Sequence, residues 1–339
     1  MAQVASALVD LARQLIDIDS TSGREEAATS WLANWLRNRG YHVTEQPVIG
    51  NRVNIIATVA QHDAEIFLST HIDCVPPFFP SRIDGDILYG RGSCDAKGIL
   101  SAEIMALEQL RAAGEERVGL LVVVGEERGS QGAQAANRLA QSCRYLINGE
   151  PTGNRLAAAT RGVYRVRLVA TGRAAHSSHP ELGESAVEKL VDALVALREI
   201  NLPTDETYGN TSYTVGLVSG GIAPNVVPPT AAADVNFRTV CSASDVRTCL
   251  NALPEGVTVE DVMVVPPVRL KTVSGFETEV FRFTTDIPFL TSWGEPLLIG
   301  PGSVHVAHTD DEHVSVPELI LAVELYEKLA TSLLTAKNT

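Results

Sequence analysis

The sequence predicts an α/β protein in which a mostly parallel sheet is sandwiched by helices and a ferredoxin-like α+β domain is inserted into that frame. Three observations predict it. Apolar runs of strand length alternate with segments of helical spacing over residues 1–160, as parallel strands joined by helices require. Over 161–267 polar and apolar residues alternate instead, and the elements run strand, helix, strand, strand, helix, strand. Over 268–339 the first pattern resumes, and 339 residues exceed a usual single domain. The predicted organisation is one interrupted catalytic domain, 1–160 and 268–339, around an insert at 161–267.

Each element has its own signal. Asp10, Arg13, Asp17 and Asp19 among leucines and alanines predict an amphipathic helix, not a signal peptide with an unbroken apolar centre. Trp31, Leu32, Trp35 and Leu36 recur at helical spacing over 24–39, an aromatic stripe expected to pack in a core, and Gly40 stops that helix. Strands are predicted at 53–59 and 66–70, then a helix over 96–113 with Gly114 just past its end. The run 118–124 reads as a buried strand, 131–141 as helix and 145–148 as a short strand. In the insert, strands are predicted at 163–171, 211–218, 231–239 and 257–264, with helices at 184–200 and 244–253. Pro266-Pro267 makes a stiff hinge, after which 297–299 and the helix 316–334 rejoin the first domain.

Composition narrows the function. A net charge of −14 argues against nucleic acid or an anionic membrane surface as partner, and no run reaches the length of a membrane span. The five cysteines are odd in number and lack zinc-finger or redox spacing, which fits a reduced, cytoplasmic compartment. Cys74 and Cys94 read as small neutral wall residues.

Five clusters sit where strands end. His71 and Asp73 close the apolar run Ile66-Phe67-Leu68, and residues two apart on a strand share a face. Asp73 can then take one imidazole N–H and leave the other nitrogen for a metal. Asp95 ends Gly90-Arg91-Gly92-Ser93-Cys94-Asp95 at a helix start, Glu126 and Glu127 follow Gly125, Glu150 follows Gly149, and His308 stands in His308-Thr309-Asp310-Asp311-Glu312. Each has an ordinary explanation: a hydrogen-bonded pair, an N-cap, a solvated pair, a turn. Ligands of open parallel sheets bind beyond the carboxyl ends of the strands, so these groups converge on one crevice. Together they put four or more carboxylates there, with only Arg91 and Lys97 as basic residues in the motifs. Such a concentration is strongly unfavourable without cations, and histidine with carboxylate suits zinc. Gly90-Arg91-Gly92 and Gly129-Ser130-Gln131-Gly132 carry neither a dinucleotide fingerprint nor a P-loop lysine, and Ser177-Ser178 lacks a nucleophile elbow.

His71-x-Asp73-x-Val75-Pro76, Gly90-Arg91-Gly92-Ser93-x-Asp95-x-Lys97-Gly98, Gly125-Glu126-Glu127 and Gly149-Glu150-Pro151 resemble, in order, the motifs of the co-catalytic zinc metallopeptidases and amidohydrolases. That family includes acetylornithine deacetylase, succinyl-diaminopimelate desuccinylase, aminoacylase and glutamate carboxypeptidase, and the resemblance covers nearly the whole chain. It implies two zinc ions, with cobalt or manganese as possible occupants. Asp95 would bridge them, His71 and Glu150 would complete one site, and Glu127 and His308 the other. His305 and His313 lie close by, but Ala307-His308-Thr309-x-Asp311-Glu312 after Gly300-Pro301-Gly302 best matches the closing motif. Asp73 would orient His71, and Glu126 would be the general base.

The resemblance also implies roles in the insert, expected to be a lid and dimerisation domain. His176, in Gly172-Arg173-Ala174-Ala175-His176-Ser177-Ser178, matches a histidine that in relatives reaches toward the substrate carbonyl, often in the partner subunit's site; it also reads as a polar residue at a strand end. Asn225, in the loop Gly220-Gly221-Ile222-Ala223-Pro224-Asn225-Val226-Val227-Pro228, and Arg238 are candidates for holding a substrate carboxylate, unless Arg238 belongs to a structural ion pair. Thr284-Thr285-Asp286-Ile287-Pro288 is expected to line the pocket near the closing motif. The expected protein is a cytoplasmic homodimer that hydrolyses an N-acyl amino acid, most like acetylornithine deacetylase. The alternatives are a dipeptidase or carboxypeptidase on the same scaffold, or a non-catalytic binding homologue.

Overall fold

The apolar runs near 66 and 118 become adjacent parallel strands, Ile66–His71 and Val118–Val123, in register from Ile66 opposite Val118 to His71 opposite Val123. This computed structural model describes residues 2–60, 64–139 and 142–336. The chain divides into two units, one of Met1–Ala158, Leu270–Glu279 and Thr285–Thr339, the other of Ala159–Arg269 and Val280–Thr284.

In the first unit a six-stranded sheet runs in the order His42–Ile49, Arg52–Thr58, Val118–Val123, Ile66–His71, Tyr145–Asn148, Glu295–Leu298. The last four are mutually parallel, and the first two form an antiparallel hairpin on one edge. Alternation sends Ile66, Leu68, Val118, Leu120 and Val122 to one face, against the helices Ala2–Ile16, Glu26–Asn38, Lys97–Ala112 and Val316–Thr335. Phe67, Leu121, Val123 and Leu146 go to the other, with Trp293 and the short helix Gln131–Ala136. Phe67 meets the Trp293 ring edge-on at 4.9 Å, and a Cβ on Gly119 would lie 2.6 Å from the Phe67 ring. Glycine at 119 therefore makes room for an aromatic whose truncation to alanine costs about 3–5 kcal/mol.

The second unit is a four-stranded antiparallel sheet, ordered Ser212–Gly220, Thr230–Thr239, Gly162–Thr171, Val257–Val265, with the helices Ala186–Glu199 and Ala243–Cys249. This is the ferredoxin-like layout, built on Tyr164, Val166, Leu168, Val235, Phe237 and Leu190. Ser185 caps the first helix and Ser242 with Asp245 forms a capping box on the second.

Two expectations are corrected, and one strand was not predicted. The strand His42–Ile49 has no buried residue, so its sequence gave no apolar run to find. The helix expected over 131–141 ends at Ala136, its next residues forming a turn; residues 140 and 141 lie outside the described residues. Trp31 and Trp35 are only partly buried, packed against the core rather than inside it. No helix among the described residues is long and apolar enough to cross a membrane.

Candidate metal centre

Strand register builds the centre. His71 ends its strand beside Val123, and Ser69 pairs with Asn148, so Glu126, Glu127 and Glu150 all emerge just past the carboxyl ends of neighbouring parallel strands. Asp95 comes from the loop before the helix Lys97–Ala112, whose N-cap is Ala96 and makes no side-chain cap bond. The ordinary capping explanation for Asp95 therefore does not hold.

Asp95 lies between two histidines. Its Oδ1 is 2.9 Å from His71 Nε2 and its Oδ2 is 3.3 Å from His308 Nε2. His308 Nε2 also lies 2.8 Å from Glu127 Oε1. Ligand atoms of His71, Asp95 and Glu127 all fall within 4.8 Å of one another. Two ligands bound tetrahedrally at ~2.0–2.1 Å stand roughly 3.3 Å apart, so these spacings are close to those of a ligand shell. Neither neighbouring histidine enters this cluster: His305 is exposed, and His313 pairs with the Asp311 main-chain carbonyl and packs on Tyr89.

Glu150 is buried, and its Oε1 has no hydrogen-bond partner among the described residues. Burial and the charges of Asp95, Glu126 and Asp286 push its carboxyl well above the ordinary range. Glu126 is half-buried and likewise raised, by desolvation and then by Asp286, Glu127 and Asp95, with His71 opposing. Asp95 goes the other way: burial would raise it, but hydrogen bonds to His308 and His71 hold it far below its usual value. His308, between two carboxylates, is raised to about 10 by its hydrogen bonds to Asp95 and Glu127.

A partnerless buried carboxylate oxygen and imidazole nitrogens among repelling carboxylates are a donor set that fits a divalent metal. His71, Asp95, Glu127, Glu150 and His308 are the residues that could hold it. Asp95 presents one oxygen to each histidine, the arrangement a bridging carboxylate needs.

Asp73 supports the centre in a way its spacing did not reveal. His71 Nδ1 lies 2.9 Å from the Asp73 main-chain carbonyl and 3.5 Å from Oδ1. The carboxylate itself accepts the N–H of Glu126 at 3.0 Å, the N–H of Glu127 at 3.3 Å and the Ser22 hydroxyl at 2.8 Å. Burial opposes ionisation of Asp73, and these bonds with His71 outweigh it, so its carboxyl is lowered.

Three further residues stand by the centre: Asp286, expected only within a pocket-lining segment, and Glu25 and Arg52, which the sequence reading did not single out. Asp286 is buried, with Oδ1 unpartnered among the described residues, and burial with the charges of Asp73 and Glu127 raises it to about 7. Glu25 is buried and grips Arg52 through two bonds, of 2.9 and 2.6 Å, while Arg52 Nη1 donates to Gln131 Oε1 at 2.6 Å. A Cβ on Gly125, whose φ is +73°, would lie 2.4 Å from Arg52 Nη2. The bridge thus packs beneath the turn that carries Glu126 and Glu127. Of this group, only Gly125, in its motif, and Asp286, in the expected pocket lining, had a sequence signal.

In the second unit, His176 is exposed, with Nδ1 2.8 Å from Ser178 Oγ, and it pairs with Val226 in an isolated bridge. Ser177 N–H donates to the Asn225 carbonyl at 3.0 Å, so His176 and Asn225 share one loop cluster. Arg238 is not part of that cluster. It is half-buried at the far end of the strand Thr230–Thr239, roughly 26 Å along the strand from Thr230, and burial with Arg165 lowers its pKa.

An α/β frame with carboxylates and histidines at its strand ends defines a metal-dependent hydrolase of the metallopeptidase class. Residues 67–332 match the profile of peptidase family M20/M25/M40, and the chain belongs to that family. It is a hydrolase of amide bonds that binds divalent metal. A probable carboxypeptidase of Aspergillus clavatus is 36% identical over 97% of this chain and 83% of its own length. A peptidase M20 domain-containing protein of Schizosaccharomyces pombe is 34% identical over 95% and 84%. Among solved structures, aminopeptidase PepT of Bacillus cereus superposes with a TM-score of 0.81 at 19% identity, covering 98% of this chain and 99% of that one. A dinuclear metal binding peptidase of Bacillus subtilis gives 0.71 at 15% identity, covering 98% and 99%.

Proposed function

We propose that this protein is a di-zinc peptidase that cleaves the amide bond preceding a free carboxylate, as a carboxypeptidase or dipeptidase does. The observation that carries the two-metal reading is Asp95, with Oδ1 toward His71 and Oδ2 toward His308. The choice of peptidase is supported by relatives of 36% and 34% identity named probable carboxypeptidase and M20 peptidase. Hydrolysis of N-acyl amino acids is the second reading, supported by the motif resemblance to acetylornithine deacetylase.

Bound among these residues, divalent ions supply Lewis-acid charge and make water a nucleophile near neutral pH. The chain's own residues do the rest. Glu126, half-buried and raised in pKa, accepts the proton of the attacking water and delivers it to the leaving amine. Asp73 fixes the Glu126 main chain, so the base has a set position. Glu127, the next residue, has a separate duty as ligand, in contact with His308. His176, Asn225 and Arg238 as substrate contacts belong to the same proposal and rest on the resemblance.

Two further parts of the reading are a homodimer and a cytoplasmic location. Val191 and Val195 on one helix and Leu217 and Val218 on the edge strand Ser212–Gly220 are exposed, which supports pairing of the second unit with another copy. Free thiols at Cys74, Cys94, Cys241 and Cys249 support a reducing compartment.

A substrate panel tests the function. Dipeptides, N-blocked dipeptides, their C-terminal amides and N-acetyl and N-succinyl amino acids are offered to the zinc-loaded protein. Turnover of dipeptides or N-blocked dipeptides but not of the amides is expected. Turnover confined to acyl amino acids makes it a deacylase, and equal cleavage of the amides contradicts recognition of a carboxylate.

A further inference from the structure

Glu312 lies four residues after His308, and its carboxylate is buried. Oε1 accepts three main-chain N–H groups, from Gly92 at 3.0 Å, Cys94 at 3.1 Å and Asp95 at 3.0 Å. Oε2 accepts Arg91 Nη1 at 2.6 Å, and the Glu312 carbonyl accepts the Gly90 N–H at 3.2 Å. Arg91 is held in turn, with Nε 3.1 Å from the Pro77 carbonyl and its guanidinium 4.9 Å over the Phe79 ring.

Converging N–H groups make a cradle for an anion, and charge-assisted bonds are the strong ones. The cradle depends on Gly92, at φ +91°, where a Cβ would stand 2.7 Å from Cys74 Sγ. Stability alone is a poor reason for such a site. A buried ion pair gains little over an apolar pair of the same shape. What this pair does is geometric: every bond from the carboxylate ends on the loop 91–95, and one ends on Asp95 itself.

We propose that Glu312 is a positioning residue that fastens the Asp95 loop to the segment bearing His308, setting the two ligands at a fixed separation. The Asp95 carboxylate can then face His71 with one oxygen and His308 with the other because its own main chain is pinned from the His308 side. Loss of Glu312 releases both ligands at once, so both ions are affected together. This inference rests on the metal reading above.

The test is titration of the apoprotein with cobalt(II), followed by visible absorption, for wild type, Glu312→Gln and Glu312→Ala, with folding checked by circular dichroism. Loss of a residue that orients ligands typically costs roughly 10–100-fold in metal affinity. Glu312→Ala is expected to weaken both ions by that factor and alter the ligand-field spectrum. Glu312→Gln keeps an acceptor but turns an amide toward Arg91, and is expected to show a smaller loss with a shifted spectrum. Wild-type affinity and spectrum in folded Glu312→Ala overturn the proposal; if that variant does not fold, the same result in Glu312→Gln overturns it. A wild-type protein that takes up no cobalt overturns the metal reading itself.

Discussion

Ser22 Oγ donates a 2.8 Å hydrogen bond to Asp73 Oδ2, so the loop after the first helix holds the carboxylate on which the Glu126–Glu127 turn hangs. Asp73 reaches His71 and Glu126 together: its carbonyl sets the imidazole, and its carboxylate sets the base. The same loop is stitched to the strand end by the Ser22 N–H to the Cys74 carbonyl at 3.0 Å and by Ser20 Oγ to the Ile72 carbonyl at 2.6 Å.

Ser22→Ala removes a hydrogen bond to a charged group, worth about 1.5–3 kcal/mol. The turn then loses part of its support while every proposed ligand remains. The expected result is a kcat lower by on the order of tenfold, with KM changed by less than about twofold and metal content intact. An unchanged kcat would show that Asp73 needs no support from Ser22.

Glu126→Gln keeps the shape of the base and removes its ability to take a proton. Turnover should fall by on the order of 10²–10⁴-fold. Zinc content should stay at the wild-type level, since Glu127 and not Glu126 contacts His308. Loss of metal along with activity would move Glu126 into the ligand set.

Glu103, whose carboxylate lies beside Gly149, gives a pH test of stability by a residue outside the ligand set. It is buried, neither carboxylate oxygen has a side-chain partner among the described residues, and burial raises its pKa well above the usual value against the opposing effect of the Ser69 main chain. The folded protein thus keeps a proton that the unfolded chain releases above about pH 4.3. The unfolded state then binds fewer protons, so this residue lowers stability as pH rises from there toward its raised folded value. Glu103→Gln should match wild type in thermal unfolding at about pH 4 and exceed it at about pH 8. Parallel pH curves for the two proteins would mean that Glu103 is not held neutral.

The exposed valines bear on assembly. Val191→Glu with Val195→Glu places charge on the exposed face of the helix Ala186–Glu199. Sedimentation should change from two chains to one, with the fold retained. A wild-type protein that already sediments as one chain would remove the homodimer from the account.

Much of the frame was legible because burial is written in the sequence. Ile66-Phe67-Leu68 and 118–124 are apolar runs buried on both faces, and the insert's strands alternate because only one face is covered. His42–Ile49 was not legible, since an exposed edge strand carries no such run. The motif histidines and carboxylates were found by type and position, and His71, Asp95, Glu127 and His308 stand together. Ser22, Glu25 and Arg52 were missed for a common reason. Each acts through a contact made across the fold, by residue types that are ordinary anywhere in a chain. The division of labour within Asp73, carbonyl to His71 and carboxylate to the turn, is likewise a matter of register rather than of spacing.

The most direct test of the account is turnover of an N-blocked dipeptide by one preparation in three states: zinc-loaded, stripped by chelator, and reloaded. Predicted are activity that disappears with the metal and returns with it, about two zinc ions per chain at full activity, and a melting temperature that falls on stripping. Undiminished turnover after verified removal of the metal would contradict it.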